Sequence, residues 1–216
     1  MGKYDSSLTV FSPEGHLIQV EHAHKAVERG TTAVAVRAPG GVVLAVERKQ
    51  TARLQDPRSA QKIFAVDDHI IATFAGLTAD ARVLIDRARH ECQAFRFTYD
   101  APPSVEAVAR AVASVLQSHT QRGGTRPFGV SVILAGHDST GPHVFLCDPS
   151  GVHSEWKALA IGSQCATLLE FLEQKVAEAE PETVDDAIKL AKAALNEVVE
   201  STEDAIQYKI LLCDHQ

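Results

Sequence analysis

A Gly-Thr-Thr segment at positions 30–32 contains the residue types needed for threonine-based hydrolysis. A threonine hydroxyl becomes a useful nucleophile when the free α-amine of the same residue acts as its base. Thr31 would carry such an amine if the chain were cut after Gly30. Removal or retention of residues 1–30 therefore decides between a hydrolase and a protein without this chemistry.

No other set of residues has the spacing of a metal or phosphate site. The histidines include no H-E-x-x-H pair, and His22 and His24 are two apart, so they point to different sides of a helix. Gly123-Gly124 lacks the lysine and hydroxyl residue of a phosphate loop. The cysteines are widely spaced, which favours reduced structural thiols; they are Cys92, Cys147, Cys165 and Cys213. We expect no metal and no cofactor.

Composition and charge narrow the classes of function. The 216 residues can bury one large core, and a hydrophobic share of 45% is ordinary for a globular chain. The formal net charge of -7 argues against a nucleic-acid-binding surface, which normally needs a basic excess. No apolar run reaches the length of a membrane span, and the N-terminus has no secretory h-region. We expect no nucleic-acid or membrane partner, and a location in the cytoplasm and nucleus.

Hydrophobic periodicity predicts a chain in which groups of strands are separated by pairs of helices. Strands are expected at 32–37, 42–46, 63–66, 70–74, 128–134, 144–147, 152–156, just before 162, and 206–212, and helices at 79–96, 104–116, 163–179 and 184–200. A doubly wound sheet fits poorly, because there single helices alternate with single strands. The order favours an α+β fold, a four-layer αββα sandwich with residues 1–216 in one domain. Val83, Phe128 and Trp156 are expected in its core.

Two further features precede these elements. Residues 1–16, the N-terminal tail, contain Ser12-Pro13-Glu14-Gly15, which has the composition of a β-turn. Residues 17–30, the N-terminal helix, have an apolar stripe and end at Gly30. This stripe has no clear partner in the predicted domain, which favours contacts with neighbouring chains.

Several motifs resemble those of the alpha-type subunits of the 20S proteasome. Tyr4-Asp5, the segment 9–17 and Gln19-Val20-Glu21 are together similar to the N-terminal signature of these subunits. Further matches run along the chain, at Lys62-Ile63, Asp67-Asp68, 75–82, 126–131, 148–151 and 160–162. Among the alpha types, the segments 54–56 and 87–93 are most similar to the type-7 group.

The resemblance implies a fold and a set of partners. The fold is the sandwich of the N-terminal-nucleophile (Ntn) hydrolases, in agreement with the predicted element order. The function is that of a non-catalytic subunit in a seven-membered alpha ring, stacked on a ring of beta subunits that includes the proteolytic ones. Such a subunit takes part in ring assembly, gates substrate access and docks activators of the regulatory-particle ATPase and 11S types.

The resemblance also bears on Thr31, which occupies the position of the catalytic threonine of the active beta subunits. Glu47 and Lys62 fall near the acid and the lysine that tune the catalytic site there. Here a peptide bond to Gly30 occupies the nitrogen of Thr31, and an amide has no lone pair for proton abstraction. Alpha subunits retain the first 30 residues, so Thr31 is expected to be an inert residue at the start of a strand.

The N-terminal tail and helix are expected to form part of a gate. Tyr4 and Asp5 match tail residues that contact neighbouring tails in the open state, and Pro13 matches the proline of a turn that activators displace. His22 replaces a tyrosine that packs with this proline in most family members, and Ser6 replaces a common arginine. Because histidine offers less apolar surface, we predict a weaker open-gate cluster.

Lys62 and Gly76 are expected to form a pocket for the tail of an activator. In the family, the matching lysine receives the C-terminal carboxylate of that tail, and the matching glycine leaves room for its backbone. An ammonium aimed at a carboxylate in a partly dry pocket is a strong and directional contact. From the sequence pattern without the family, Lys62 would be a solvated lysine beside the start of a strand.

Two alternative functions follow from other interpretations of the same residues. A self-processed threonine hydrolase would use Thr31, and its mature chain would begin at that residue. A stand-alone binding module would be a stable monomer in solution.

Overall fold

The computed structural model describes residues 9–47, 54, 56, 61–198 and 206–213. Within these ranges the helices are α1 (Ile18–Glu28), α2 (Thr78–Tyr99), α3 (Val105–Gln121), α4 (Cys165–Glu178) and α5 (Val184–Val198). The strands are β1 (Ala33–Ala38), β2 (Gly41–Glu47), β3 (Ile63–Asp67), β4 (Ile70–Gly76), β5 (Val130–Asp138), β6 (Gly141–Cys147), β7 (His153–Glu155), β8 (Ala158–Ile161) and β9 (Ile206–Leu212). The predicted order of elements is confirmed, with boundaries that shift by a few residues.

The strands form two antiparallel sheets. The first has the order β8-β1-β2-β9, and the second has the order β3-β4-β5-β6-β7. β1 and β2 are joined by a tight turn, so that Ala38 pairs with Gly41 and Ala33 pairs with Val46. Both strands are almost wholly buried because apolar layers cover both faces of their sheet.

Three apolar layers hold the sandwich together. One lies between the second sheet and the pair α2 and α3, and contains Phe74, Leu84 and Leu116. Another lies between the two sheets, around Leu44 and Ile133. The third lies between the first sheet and the pair α4 and α5. The layers therefore follow the order helix, sheet, sheet, helix, which confirms the predicted αββα sandwich.

Local signals fix the ends of the helices between the two groups of strands. Asp100 adopts a left-handed conformation with φ of 52° and ends α2. The hydroxyl of Ser104 accepts a hydrogen bond from Ala107 N at 3.3 Å, and this cap begins α3 as the sequence predicts.

Three expectations about packing are wrong. The apolar stripe of α1 has a partner in its own chain, since Val20, Ala23 and Val27 are 7% exposed and the helix packs on β4 and β5. Val83 is 56% exposed because it lies on the outer side of α2. Trp156 is 38% exposed in the bend between β7 and β8, where its indole N–H donates to Ser154.

The described part of the chain holds no helix that is both long enough and apolar enough to cross a membrane. The same residues contain no group of three or more histidine, cysteine, aspartate or glutamate side chains arranged to hold a metal ion.

Candidate functional site

The residues that precede β1 are fixed by contacts with β2 and with the start of α4. The hydroxyl of Thr32 donates to Ser163 O at 2.9 Å, and its carbonyl oxygen accepts from Glu47 N at 2.9 Å. The Glu47 carboxylate in turn accepts from Thr32 N at 3.3 Å. Thr32 and Glu47 thus continue the β1–β2 ladder by one residue pair beyond Ala33 and Val46.

Thr31 is enclosed just outside this ladder. Its hydroxyl oxygen is buried and has no hydrogen-bond partner among the described residues. Gly162 has φ of +95°, and a Cβ there would lie 2.6 Å from Thr31 O. The carbonyl of Gly30 accepts from Ser163 N at 2.9 Å. A hydroxyl without a base or an open approach cannot attack a substrate.

α1 packs on β4 and β5 and leads through Gly30 directly to Thr31. Gly30 N donates to Val27 O at 2.8 Å, which ends the helix tightly before Thr31. The backbone at Gly30 contacts the end of β4 so closely that a Cβ there would overlap Gly76 N. Glycine is therefore required at this crossing, because any larger residue would push α1 away from the sheet.

A groove of about 460 Å³ runs between α1 and the end of β4. We call it the α1 groove; its lining residues are His22, Lys25, Ala26, Arg29, Gly30, Gly76 and Leu77. The α1 wall presents the cations Lys25 and Arg29, and the other wall consists of glycine backbone and the half-exposed Leu77. A cationic wall of this kind suits an anionic chain segment.

The wall opposite α1 is held by a network that the sequence interpretation missed. Gly76 has φ of +115°, a Cβ there would overlap Gly129 O, and Leu77 N donates to this same oxygen at 2.9 Å. The Asp80 carboxylate accepts from Gly129 N at 3.0 Å and from both terminal nitrogens of Arg126 at 2.6 and 2.8 Å. These hydrogen bonds hold the pKa of Asp80 below its usual range, the bond from Arg126 having the largest effect. Asp80 lies in the family motif 75–82 and Arg126 lies in the family motif 126–131. The sequence gives no signal that these two side chains form an ion pair.

Lys62 is not among the residues that line the groove. It is half-buried directly before β3, and its ammonium is 4.6 Å from the centre of the Phe74 ring. Ile63 pairs with Thr73, so Lys62 and Gly76 lie at the same end of the β3–β4 hairpin. Burial lowers the pKa of the Lys62 ammonium, and the negative charge of Glu47 opposes that shift. The interpretation of Lys62 as a fully solvated lysine is therefore wrong.

The predicted gate residues are only partly covered by the structure. Pro13 is exposed in a turn that is closed by a 2.9 Å hydrogen bond from Gly15 N to Ser12 O. His22 is exposed on α1 and lines the α1 groove together with Gly76. Tyr4, Asp5 and Ser6 lie outside the described residues, so the expectations for them stay predictions.

The αββα sandwich with an enclosed threonine directly before β1 agrees with the fold that the sequence motifs imply. Comparison with known families identifies the class of protein. A family model described as "Proteasome subunit" matches residues 27–211, and a second one, which describes the N-terminal signature of A-type proteasome subunits, matches residues 4–26.

Curated relatives identify the branch of the family. The chain is 50% identical over 210 residues to "Proteasome subunit alpha type-7" of Dictyostelium discoideum. This alignment covers 97% of this chain and 83% of that protein. It is 49% identical over 213 residues to "Proteasome subunit alpha type-8" of Mus musculus, in an alignment that covers 98% of this chain and 85% of that protein. It is also 49% identical over 213 residues to "Proteasome subunit alpha type-7-B" of Arabidopsis thaliana, in an alignment that covers 98% of this chain and 84% of that protein. The predicted likeness to the type-7 group is confirmed, and the type-8 subunit matches equally well.

The chain belongs to the alpha-type subunits of the proteasome. It is a non-catalytic subunit of a threonine-protease complex, a component of the outer ring of the 20S core particle that assembles with other proteasome subunits. The alternative of a self-processed hydrolase is not favoured, in agreement with the buried hydroxyl of Thr31.

Proposed function

We propose that this chain gates substrate access to the core particle and docks activators through the α1 groove. In this function residues 1–216 act as one unit, in which the N-terminal tail is the gate and α1 anchors it. Its neighbours are other alpha subunits in a seven-membered ring and the beta ring below, in particles of the cytoplasm and nucleus. Activators of the regulatory-particle ATPase and 11S types supply the tails that enter the groove.

The observation that carries the proposal is the cationic wall of the α1 groove. Lys25 and Arg29 attract an anionic segment, and Gly30 and Gly76 line the groove without side chains. Because α1 forms one wall and also leads directly to the tail, a ligand in the groove touches the element that anchors the gate.

In this proposal Lys62 provides the charge that receives the terminal carboxylate. Its ammonium is half-buried, and solvent therefore screens its attraction for a carboxylate less than at an exposed lysine. The adjacent Gly76 then positions the last residues of the tail. Lys62 and Gly76 are together the proposed end of the activator-tail pocket.

The experiment is to replace Lys62 by Glu in the assembled particle and to measure activator-stimulated hydrolysis of a fluorogenic peptide. We expect a loss of activator affinity of about tenfold or more at this pocket, because a charge-assisted pair becomes a repulsive one. Lys62→Gln is a second variant, which removes the charge without placing another carboxylate near Glu47. The matched control is Lys189→Glu on the exposed surface of α5. Particles with Lys62→Glu that respond normally to every activator would refute this role.

A further inference from the structure

A second groove, of about 970 Å³, lies at the end of the sandwich opposite the α1 groove. Its lining residues belong to the segments 37–39, 140–143 and 175–190, and we call it the α4–α5 groove. In the second sheet, Gly76 of the α1 groove pairs with Val130 at the start of β5, whereas the turn that lines the α4–α5 groove follows the other end of β5. The two grooves are therefore separate surfaces.

The wall formed by the end of α4, the start of α5 and the loop between them is acidic. Its lining carboxylates are Glu178, Glu180, Glu182 and Asp186. Glu178 lies 2.8 Å from Lys175, and Glu180 lies 3.0 Å from Lys157, but ion pairs between exposed side chains are weak. Glu182 is exposed and has no hydrogen bond or ion pair within the described part of the chain. This wall can therefore receive further positive charge.

The facing wall has cations that are already compensated. Arg37 donates to Glu155 at 2.8 Å, and the same carboxylate lies 2.8 Å from His143 Nδ1. On its other side, His143 Nε2 lies 3.3 Å from Asp138. Because these carboxylates neutralise the wall from within, it offers little attraction to an anionic ligand.

Each of the three lining segments also contributes apolar surface, namely Pro39, Pro142 and Leu190. The prolines have no N–H group, so they give an extended chain no backbone donor to pair with. A ligand is therefore held by its side chains, through apolar contacts and charge. The volume is at the upper end of the roughly 300–1,000 Å³ of small-molecule sites, which leaves room for several residues of a polypeptide.

We propose that the α4–α5 groove binds an extended, lysine- or arginine-rich segment of a partner protein. The carboxylates of Glu178, Glu180 and Glu182 pair with its cationic groups, and the apolar stems of the same side chains cover the apolar part of the lining. Charge complementarity carries the assignment, since the lining has four carboxylates and only two permanent cations, Arg37 and Lys175. The interaction uses neither the α1 groove nor the proposed gate.

The test measures capture of a short photo-crosslinking peptide, in which lysine alternates with alanine, by this chain in the assembled particle. We expect the crosslinks to map to the segments 37–39, 140–143 and 175–190. The double variant Glu178→Gln with Glu182→Gln should weaken capture by roughly fivefold to tenfold and reduce its dependence on salt, because two attractive charges are removed. Glu182→Gln alone disturbs no described contact of this residue and should give a smaller loss in the same direction.

Matched controls show whether the effect is local. The double variant Asp86→Asn with Glu106→Gln makes the same charge change on the exposed surfaces of α2 and α3, and its capture of the peptide should equal that of the wild type. A peptide with glutamate in place of lysine should not be captured. Equal capture of the acidic peptide, crosslinks confined to other segments, or undiminished capture by the Glu178 and Glu182 double variant would overturn the inference.

Discussion

The carboxylate of Asp80, a residue that is only 7% exposed, accepts hydrogen bonds from two separate groups of donors. It accepts from Gly129 N and from two nitrogens of Arg126, and thereby ties the first turn of α2 to the segment before β5. That segment supplies the carbonyl that receives Leu77 N beside the α1 groove. A single carboxylate therefore supports the wall opposite α1 without touching a ligand.

Replacement of Asp80 by Asn is predicted to destabilise the fold by about 1–3 kcal/mol at pH 7, because charge-assisted hydrogen bonds are lost. The folded-state pKa of Asp80 is depressed, so its contribution is complete above the unfolded-state pKa of about 3.9 and disappears as pH falls through the folded-state value. Urea unfolding at pH 7 and near pH 3 measures this. Asp86→Asn, on the exposed side of α2, is the matched control and changes stability little. Equal stability of Asp80→Asn and wild type at pH 7 would show that this network does not hold the wall.

His22 and Ser6 are the two expected departures from the family's gate pattern, and His22 is the one that the described residues include. It is exposed in the α1 groove, so a larger aromatic ring can be placed there without disturbing the core. We predict that His22→Tyr increases activator-stimulated peptide hydrolysis by the assembled particle, because tyrosine adds apolar surface to the open-gate cluster. His90→Tyr on α2 is the control, since His90 is also exposed but lies on another helix. An unchanged rate with His22→Tyr would show that this position does not limit opening.

At the level of elements, two close backbone contacts shape the end of β4, and each requires a glycine. Gly30 contacts the backbone of β4, and Gly76 contacts the backbone before β5. α1 can approach the sheet this closely only because Gly30 carries no Cβ. The α1 groove is therefore a consequence of backbone packing as much as of the side chains that line it.

Gly76→Ala is predicted to destabilise the chain by more than about 3 kcal/mol or to prevent assembly, because strain at positive φ adds to an overlap with Gly129 O. Gly124→Ala is the control: its φ is +83°, but nothing lies within 4 Å of the added Cβ. It should cost only about 1 kcal/mol, the strain of a left-handed residue alone. Thermal unfolding of both variants measures the difference. Similar unfolding temperatures would contradict the close contact between Gly76 and the Gly129 backbone.

Elements defined by local sequence could be predicted, whereas contacts between distant segments could not. The turn at Ala38–Gly41, the cap at Ser104 and β9 follow from nearby residue types, and the structure contains all three. The pairing of Asp80 with Arg126 depends on how α2 lies beside the segment before β5, which no local pattern encodes. The burial of the α1 stripe was missed for the same reason, since its partners on β4 and β5 follow much later in the chain.

For the whole molecule, the same sandwich can support a hydrolase or a gate, depending on what precedes β1. In the structure α1 packs on β4 and β5, leads through Gly30 to Thr31 and supplies the cationic wall of the α1 groove. The segment whose removal would expose a threonine amine is thus the segment that forms the proposed docking site. Retention of residues 1–30 is the central claim of this account.

The most direct test is the intact mass of this chain isolated from assembled particles, combined with a threonine-directed covalent inhibitor. The account predicts a mass that includes residues 1–30 and no inhibitor adduct, while the active beta subunits of the same particles are labelled. A mature chain that begins at Thr31 and carries the adduct would contradict it.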